Sequence, residues 1–308
     1  MAYIYPQAYL KDHIVPIESA TLSVASSAVL YGLSVYTVFQ IQVGDDGSVR
    51  AFRLSDHYRR LINSARIIGI DTFEPDWPAE RFTEAVQQLV AANELTENAF
   101  VRATIHVDEL VPGTRSRGMS TALSMFIYEA QSILPQGGAR LKTSVWRRIP
   151  DYSIPSRAKV NGAYINSVLG KQDALDSGYD DCIFLDAAGH VCELSAANIF
   201  LVRNNVLITP DATSDLLEGI NRQTILQLAK DMDLQVVERT VDLTELYIAD
   251  ELFACGTSAY IAPVLEVDAR RIGNGQIGPI TQNLKEKYSS ILQGHDADYK
   301  DLLTVVSS

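Results

Sequence analysis

Alternation of apolar and polar residues predicts a β-hairpin near the start of the chain. Between Phe39 and Val43 the apolar side chains alternate with glutamines, which is the period of a strand with one buried face. Residues 44–47 read Gly-Asp-Asp-Gly, the residue types of a tight turn, and the pattern of a strand returns at 49–53. We therefore expect two antiparallel strands joined by a short turn.

Apolar spacings of three and four residues predict two helices after this hairpin. The first covers 54–68, with Ser55 or Asp56 available to cap its amino terminus. The second covers 78–93, where a proline in the first turn is compatible with the start of a helix. Both helices therefore carry apolar residues on one face.

Three further helices are predicted in the second half of the chain. One extends over 164–177 and ends before Gly178, which suits a glycine cap at the carboxyl terminus. Another begins near Gly219 and carries apolar residues on one face. The run Asp242-Leu243-Thr244-Glu245 has the spacing of a capping box and predicts a short helix.

Short apolar runs rich in β-branched and aromatic residues predict strands throughout the chain, so we expect an α/β (α+β) fold. These runs cover 99–107, 121–128, 141–146, 182–185, 199–202, 206–209, 251–255 and 261–267. Residues 131–138 join a proline and two glycines between apolar runs and are the best candidate for an interdomain linker. The predicted division is a domain at 1–130, this linker, and a domain at 139–308.

Composition excludes several classes of function. The net charge of −12 and the pI near 4.9 oppose binding to nucleic acid, since phosphate backbones would be repelled. The three cysteines and five histidines lack the spacing of a disulfide framework or a metal site. We therefore expect no metal and a reducing, cytoplasmic location.

A stretch without charged residues at 19–44 raises the question of a membrane span. It contains seven serines or threonines together with Gln40 and Gln42, which are costly in lipid. We expect this stretch to be buried in protein, with no membrane partner. The first residues lack a charged start followed by an apolar run, so no signal peptide is expected.

Three segments carry residue types suited to chemistry. Lys159 lies in the run Arg-Ala-Lys-Val-Asn-Gly-Ala-Tyr, where small apolar neighbours could lower the pKa of its amine and make it nucleophilic. The run Leu-Glu-Gly-Ile-Asn-Arg at 217–222 leads into a helix whose amino terminus suits an anion. Gly-Thr-Ser at 256–258 offers amides and hydroxyls after a strand. Each segment alone is also compatible with a structural role.

Taken in order, these segments resemble the fold-type IV aminotransferases that use pyridoxal 5′-phosphate, and most closely the branched-chain amino acid aminotransferases. The shared motifs are Arg-Ala-Lys-x-x-Gly-x-Tyr at 157–164, a glutamate at 193, Leu-Glu-Gly-Ile-Asn-Arg at 217–222 and Gly-Thr-Ser-Ala at 256–259. The resemblance covers nearly the whole chain. It implies a small α/β domain, a larger pseudo-barrel domain and a homodimer with active sites at the interface.

The resemblance also implies roles for individual residues. Lys159 would hold the cofactor as a Schiff base and then move the substrate proton, while Glu193 would keep the pyridine nitrogen protonated. Tyr164 would donate to the ring hydroxyl, and Leu217 would pack on the ring face. The phosphate would be bound by Arg59, Ile220, Asn221 and Thr257.

The substrate side departs from the branched-chain pattern. Residues 36–38 are Tyr-Thr-Val, a form similar to that of (R)-selective amine aminotransferases, where branched-chain enzymes usually have Phe-Glu-Gly. Phe100 replaces a tyrosine, while Arg102 keeps the guanidinium suited to a substrate carboxylate. Tyr31, which in the family reaches the neighbouring subunit's site, is retained. Ser258 completes the predicted substrate residues.

The predicted function is amino-group transfer between branched-chain or aliphatic L-amino acids and 2-oxoglutarate by a ping-pong route, with some activity towards (R)-amines. Three alternatives stay open at this point. An (R)-selective amine or D-amino acid aminotransferase fits the residues at 36–38. The same scaffold also serves aminodeoxychorismate lyases. A non-catalytic cofactor-binding protein would bind the cofactor without reacting with amino acids.

Overall fold

A computed structural model describes residues 2–307 and divides the chain into two compact units. The first unit contains Met1–Gln131, Ala158–Ala163 and Ile291–Ser308, and the second contains Ser132–Arg157 and Tyr164–Ser290. The division predicted from the sequence had placed both later segments of the first unit in the second domain. Their contacts explain the difference: a strand at the carboxyl terminus pairs with Val49–Phe52, and Val160 bridges Val35.

The first unit is built on a seven-stranded sheet. Its elements are β1 (Ile4–Leu10), β2 (His13–Pro16), α1 (Ser27–Tyr31), β3 (Ser34–Val43), β4 (Val49–Phe52), α2 (Leu54–Ile67), α3 (Ala79–Asn93), β5 (Ala99–Val107), β6 (Thr121–Glu129) and, at the far end of the chain, β16 (Leu303–Ser307). The strand order is β16-β4-β3-β5-β6-β1-β2. Helices α2 and α3 contribute their apolar faces to the core of this unit.

The predicted hairpin is confirmed and provides two interior strands of the sheet. Strands β3 and β4 pair antiparallel, with Ile41 opposite Ala51, and Gly47 takes the positive φ of +78° that the turn requires. Nine of the ten β3 residues are buried, and Val35, Phe39 and Ile41 of this strand belong to the apolar core shared with α2 and α3. This burial is what holds the side chains of residues 36–38 in defined positions.

The predicted cap of α2 was wrong. Ser55 and Asp56 lie inside the helix, and Arg53 is the N-cap, with φ +51° and no capping hydrogen bond from its side chain. The Arg53 N–H instead donates to Leu302 O at 2.6 Å, so strand pairing fixes where the helix begins. The Asp56 carboxylate accepts from Arg53 Nε at 2.5 Å and also pairs with Arg59.

The second unit is built on a nine-stranded mixed sheet. Its elements are β7 (Ala139–Arg147), α4 (Tyr164–Asp176), β8 (Asp181–Leu185), β9 (Val191–Leu194), β10 (Asn198–Arg203), β11 (Val206–Thr209), α5 (Ile220–Asp231), β12 (Gln235–Glu238), α6 (Leu243–Leu246), β13 (Glu251–Gly256), β14 (Tyr260–Val267), β15 (Arg270–Arg271) and α7 (Pro279–Leu292). The strand order is β12-β11-β10-β13-β14-β7-β8-β9, with β15 paired to β14. The predicted α/β (α+β) class is confirmed.

Local signals located the helices of this unit well. Gly178, with φ +80°, follows the end of α4, and the Glu245 carboxylate accepts from the Asp242 N–H at 3.2 Å at the start of α6. The predicted linker contributes Gln131 to the first unit and its remaining residues to the second. Helix α7 was not predicted; its first amides, at Ile280 and Thr281, donate to the buried Glu251 carboxylate at 3.0 and 2.7 Å.

The expectation that the charge-free stretch at 19–44 is buried holds only for its second half. The exposed fractions of Val24, Val29, Leu30 and Tyr31 are 80, 53, 48 and 47 %. These residues precede β3 and lie outside the strands of the sheet. Within residues 2–307, no helix is both long and apolar enough to cross a membrane.

Two buried histidines predict how stability depends on pH. His106 on β5 lies 2.8 Å from Ser124 Oγ, and burial lowers its pKa from 6.5 to about 4. Burial also lowers the pKa of His57 well below its usual value, with help from nearby cations. As pH falls, these histidines are protonated in the unfolded chain before they are protonated in the folded protein. The free energy of unfolding should therefore fall as pH drops from about 6.5 to about 4.

Urea unfolding at pH 7 and pH 5 checks this prediction. In His106→Gln the loss of stability between the two pH values should be smaller than in the wild type, with the remainder due in part to His57. Equal losses in the two proteins would contradict the assignment to His106.

Candidate active site

The loop that carries Lys159 is held within the first unit by main-chain contacts. Lys159 N donates to Ser64 Oγ at 3.0 Å, and Lys159 O accepts from Tyr36 N at 3.0 Å. The adjacent Val160 forms a bridge with Val35. Neither hydrogen bond uses the lysine side chain, which is half-buried, so the amine is positioned by the backbone and left to other partners.

A close approach of two backbone segments explains why the motif has a glycine at 162, three residues after Lys159. Gly162 N donates to Gly32 O at 3.3 Å, and Gly32 ends α1 with φ +63°. A Cβ at Gly32 would lie 2.9 Å from Gly162 Cα, which is closer than such atoms approach. Glycine at both positions lets the end of α1 pack against the lysine loop.

Tyr36 lies beside two cations. Lys159 Nζ is 4.9 Å from the centroid of its ring, and Arg102 Cζ is 3.7 Å from the same centroid. Arg102 Nη2 also donates to Asn161 Oδ1 at 2.5 Å. The structure therefore brings three of the predicted residues together, and it adds Asn161, which the sequence did not single out.

The other predicted residues of the first unit differ in exposure. Phe100 is fully buried and its ring contacts that of Tyr128, with centroids 5.5 Å apart. Tyr31 is exposed at the end of α1. The side chain of Arg59 is 67 % exposed and pairs with Asp56, whereas its neighbour Arg60 donates to Thr37 Oγ1 at 3.1 Å. Arg59 is thus the more accessible of the two arginines.

Glu193 is a buried carboxylate of the second unit with several polar partners. It lies on β9 and only 5 % of the residue is exposed. Its Oε1 lies 2.7 Å from Arg148 Nη2, and its Oε2 accepts from Leu217 N and Asn198 Nδ2, both at 3.2 Å. Opposite charge and hydrogen-bond donors favour the ionised form of a carboxyl group.

Sequence reasoning missed the role of Arg148. It is one half of the basic pair Arg147-Arg148, and paired basic residues are usually solvated surface charges. Its side chain is 14 % exposed, and its Nε also donates to Asp215 O at 3.3 Å. Nothing local distinguishes Arg148 from Arg147, because the contact with Glu193 joins positions far apart in the sequence.

The amino terminus of α5 depends on a glycine. Gly219 is the N-cap, and a Cβ there would lie 2.2 Å from Asn198 Oδ1. Ile220 and Asn221 follow as the first, buried residues of this twelve-residue helix. Asn221 Nδ2 donates to Tyr288 Oη at 2.7 Å, and its Oδ1 is buried without a partner. The helix amino terminus therefore keeps the partial positive charge that suits an anion.

Three further predicted positions, Thr257, Ser258 and Tyr164, lie at the ends of strands or helices. Thr257 and Ser258 follow β13, and Ser258 O accepts from Ile133 N at 3.0 Å. Gly256 before them is also tight, since a Cβ there would be 3.3 Å from Ala196 O. Tyr164 is the first residue of α4 and is half-buried.

Each unit by itself holds groups of the kinds that a phosphorylated pyridine aldehyde requires. The first unit offers the half-buried amine of Lys159, which suits a carbonyl. The second offers the buried Glu193 carboxylate and the glycine-capped amino terminus of α5, which suit a ring nitrogen and a phosphate. Among residues 2–307, no group of histidine, cysteine, aspartate or glutamate side chains is arranged to hold a metal ion.

Comparison with known proteins identifies the family. The family model of Amino-transferase class IV matches residues 34–267. The chain belongs to the class IV aminotransferases. It is a transaminase, and class IV aminotransferases use pyridoxal 5′-phosphate.

Other class IV aminotransferases match the chain over nearly its full length. A probable branched-chain-amino-acid aminotransferase of Aquifex aeolicus is 36 % identical over 302 residues, covering 97 % of this chain and 96 % of that protein. The branched-chain aminotransferase of Thermoproteus uzoniensis, solved with norvaline, is 34 % identical, with a TM-score of 0.93 and coverage of 98 % and 99 %.

A third relative was solved with a ligand that contains the cofactor. The T.th. branched-chain amino acid aminotransferase, solved with N-(5′-phosphopyridoxyl)-L-glutamate, is 32 % identical. Its TM-score is 0.90, with coverage of 98 % of this chain and 99 % of that one. That ligand joins the cofactor to an amino acid.

Proposed function

We propose that this class IV aminotransferase moves amino groups between branched-chain or aliphatic L-amino acids and 2-oxoglutarate. The observation that carries the proposal is the near-full-length likeness to branched-chain enzymes, at 36 % identity over 97 % of the chain for the Aquifex protein. The complex of the T.th. enzyme with a glutamate derivative supports glutamate and 2-oxoglutarate as the second pair. A ping-pong order follows if one site serves both pairs, since the first product must leave before the acceptor enters.

In this proposal Lys159 and Glu193 perform the chemistry. Bound pyridoxal phosphate supplies an electron-accepting ring that makes the α-proton of an amino acid removable. Lys159 holds the cofactor through its amine and then moves the proton at the substrate α-carbon. Glu193, kept ionised by Arg148, holds a proton on the pyridine nitrogen.

Further residues are proposed to hold the cofactor in place. Ile220 and Asn221 present the amino terminus of α5 to the phosphate, and Thr257 adds a hydroxyl. Arg59 contributes a guanidinium whose exposure leaves it accessible to a phosphate. The remaining two contacts are a hydrogen bond from Tyr164 to the ring hydroxyl and packing of Leu217 on the ring face.

Substrate recognition is assigned both to residues that keep the family pattern and to residues that depart from it. Arg102 binds a carboxylate, and Tyr36 and Phe100 lie on neighbouring strands of the same sheet. Tyr31 is proposed to serve the neighbouring subunit's site. Ser258 supplies a hydroxyl after β13.

A cytoplasmic homodimer completes the proposal. Exposed apolar side chains in the first unit at 29–31, and in the second unit at Trp146, Ile165 and Val168, support burial against a second copy. All three cysteines are free and buried, which supports a reducing compartment.

Initial rates with three donors and one oxo acid test the substrate assignment. L-Leucine should react fastest, D-alanine should be poor, and (R)-1-phenylethylamine should show a low but measurable rate. Absence of turnover with L-leucine would overturn the branched-chain assignment.

One observation favours a second function, an (R)-selective amine or D-amino acid aminotransferase. Residues 36–38 are Tyr-Thr-Val, and β3 holds all three in buried positions beside Arg102. A faster rate with the (R)-amine or D-alanine than with L-leucine would select this function. Release of pyruvate from aminodeoxychorismate without an amino acceptor would indicate a lyase. Cofactor binding without any reaction with amino acids would indicate a binding protein.

A further inference from the structure

We propose that Asn161 is a positioning residue that holds the Arg102 guanidinium ready for a substrate carboxylate. The inference deepens the proposed function, because it rests on Arg102 as the carboxylate-binding group. Asn161 stands at a position that the motif Arg-Ala-Lys-x-x-Gly-x-Tyr leaves unspecified, and its contacts come only from the structure.

The hydrogen bonds of Asn161 define a bridge between the lysine loop and the sheet. Its Oδ1 accepts from Arg102 Nη2 at 2.5 Å, and its Nδ2 donates to Ser34 Oγ at 2.7 Å. A guanidinium can only donate, so the amide oxygen must face Arg102 and the amide nitrogen must face the serine. Ser34 is buried at the start of β3, which fixes the far side of the bridge.

The ring of Tyr36 also restricts the orientation of the Arg102 guanidinium. Arg102 Cζ lies 3.7 Å from the centroid of the Tyr36 ring, and Tyr36 is buried. Arg102 and Tyr36 are on the paired strands β5 and β3, where Arg102 is opposite Val38. The Tyr36 ring therefore holds one face of the Arg102 guanidinium, and the Asn161 amide holds one edge. Because the guanidinium is already oriented, it loses less conformational entropy when a ligand binds.

An amide is suited to this role because it is neutral. An aspartate at the same position would also accept from Arg102, but it would offset the positive charge that a substrate carboxylate needs. Asparagine orients the guanidinium and leaves its charge intact, and a guanidinium has five N–H donors for further partners. Asn161 is also only two residues from Lys159, so one short loop positions the amine and the arginine together.

Ligand binding to the holoenzyme, measured by isothermal titration calorimetry, tests the inference. The probes are 4-methylpentanoate, glutarate and the neutral 4-methylpentanamide. In Asn161→Leu, which keeps the side-chain size, carboxylate binding should weaken by about three- to tenfold, the effect of one hydrogen bond, while amide binding stays unchanged. Asn161→Asp should weaken carboxylate binding further. If only glutarate binding weakens, Arg102 binds the second carboxylate, which glutarate has and 4-methylpentanoate lacks. If the binding of both acids weakens, Arg102 binds the carboxylate that the two acids share.

A double-mutant cycle separates positioning from general damage. In an Arg102→Met background, Asn161→Leu should have no further effect on carboxylate binding, because the group it orients is gone. The inference is overturned if the two substitutions act additively, if the amide probe weakens equally, or if wild-type holoenzyme shows no preference for carboxylates. Turnover of L-leucine by the wild type is measured separately, so a failed substrate assignment is distinguishable from a failed role for Asn161.

Discussion

Replacing Lys159 with alanine is expected to lower turnover by at least about 1,000-fold, because one amine both holds the cofactor and moves the proton. The visible absorbance of the covalently held cofactor should disappear as well. The loop itself should survive, since its hydrogen bonds to Ser64 and Tyr36 use the Lys159 backbone. Single-turnover kinetics and absorbance spectra of the purified variant provide the measurement.

Lys230→Ala is the matched control for this experiment. Lys230 is exposed near the end of α5, so its removal changes the charge equally without touching the proposed chemistry. The control should keep wild-type rates and the wild-type spectrum. A Lys159→Ala protein with normal rates would refute the role proposed for this lysine.

The second large effect is expected at Glu193. Glu193→Gln should reduce kcat on the order of 100-fold, because the neutral amide cannot hold a proton on the pyridine nitrogen. Binding of the cofactor should weaken less than turnover, since the anion-binding groups of α5 are unaltered. Steady-state kinetics at saturating cofactor separates the two effects.

Glu193 should also stabilise the protein without cofactor. Glu193→Ala leaves the mostly buried Arg148 without its carboxylate, and breaking such a pair costs about 3–5 kcal/mol. Thermal unfolding of the cofactor-free protein should show this loss. Glu266→Ala, which breaks a more exposed pair with Arg140, should lower stability far less, because solvent screens exposed ion pairs. Equal losses for the two variants would contradict the buried ion pair.

The order of motifs along the chain carried most of the functional inference. Lys159 is one of eight lysines and is not distinctive by itself. It becomes distinctive only because other motifs follow it in order: the glutamate at 193, the run at 217–222 and Gly-Thr-Ser-Ala at 256–259. The match of the class IV family model to residues 34–267 agrees with this interpretation. Roles that depend on a few ordered residues can be inferred without coordinates.

Strand pairing between distant segments is where sequence reasoning failed. β16 pairs with β4 across most of the chain length, and this contact places the end of the chain in the first unit. The helix α2 starts at Leu54 as expected, but its N-cap is Arg53. Local capping propensity favoured Ser55 or Asp56, yet the hydrogen bond from Arg53 N to Leu302 O decided the boundary. Tertiary hydrogen bonds of this kind leave no local pattern.

By itself the sequence determined the mixed α/β class, the hairpin of β3 and β4, the glycine end of α4 and the family. Period and turn chemistry are local, so they can be read residue by residue. Only the tertiary structure decided which polar groups meet: Arg148 with Glu193, and Asn161 with Arg102 and Ser34. Those pairs join segments far apart in the chain, and their geometry is set by packing, for which no neighbouring residue provides a signal.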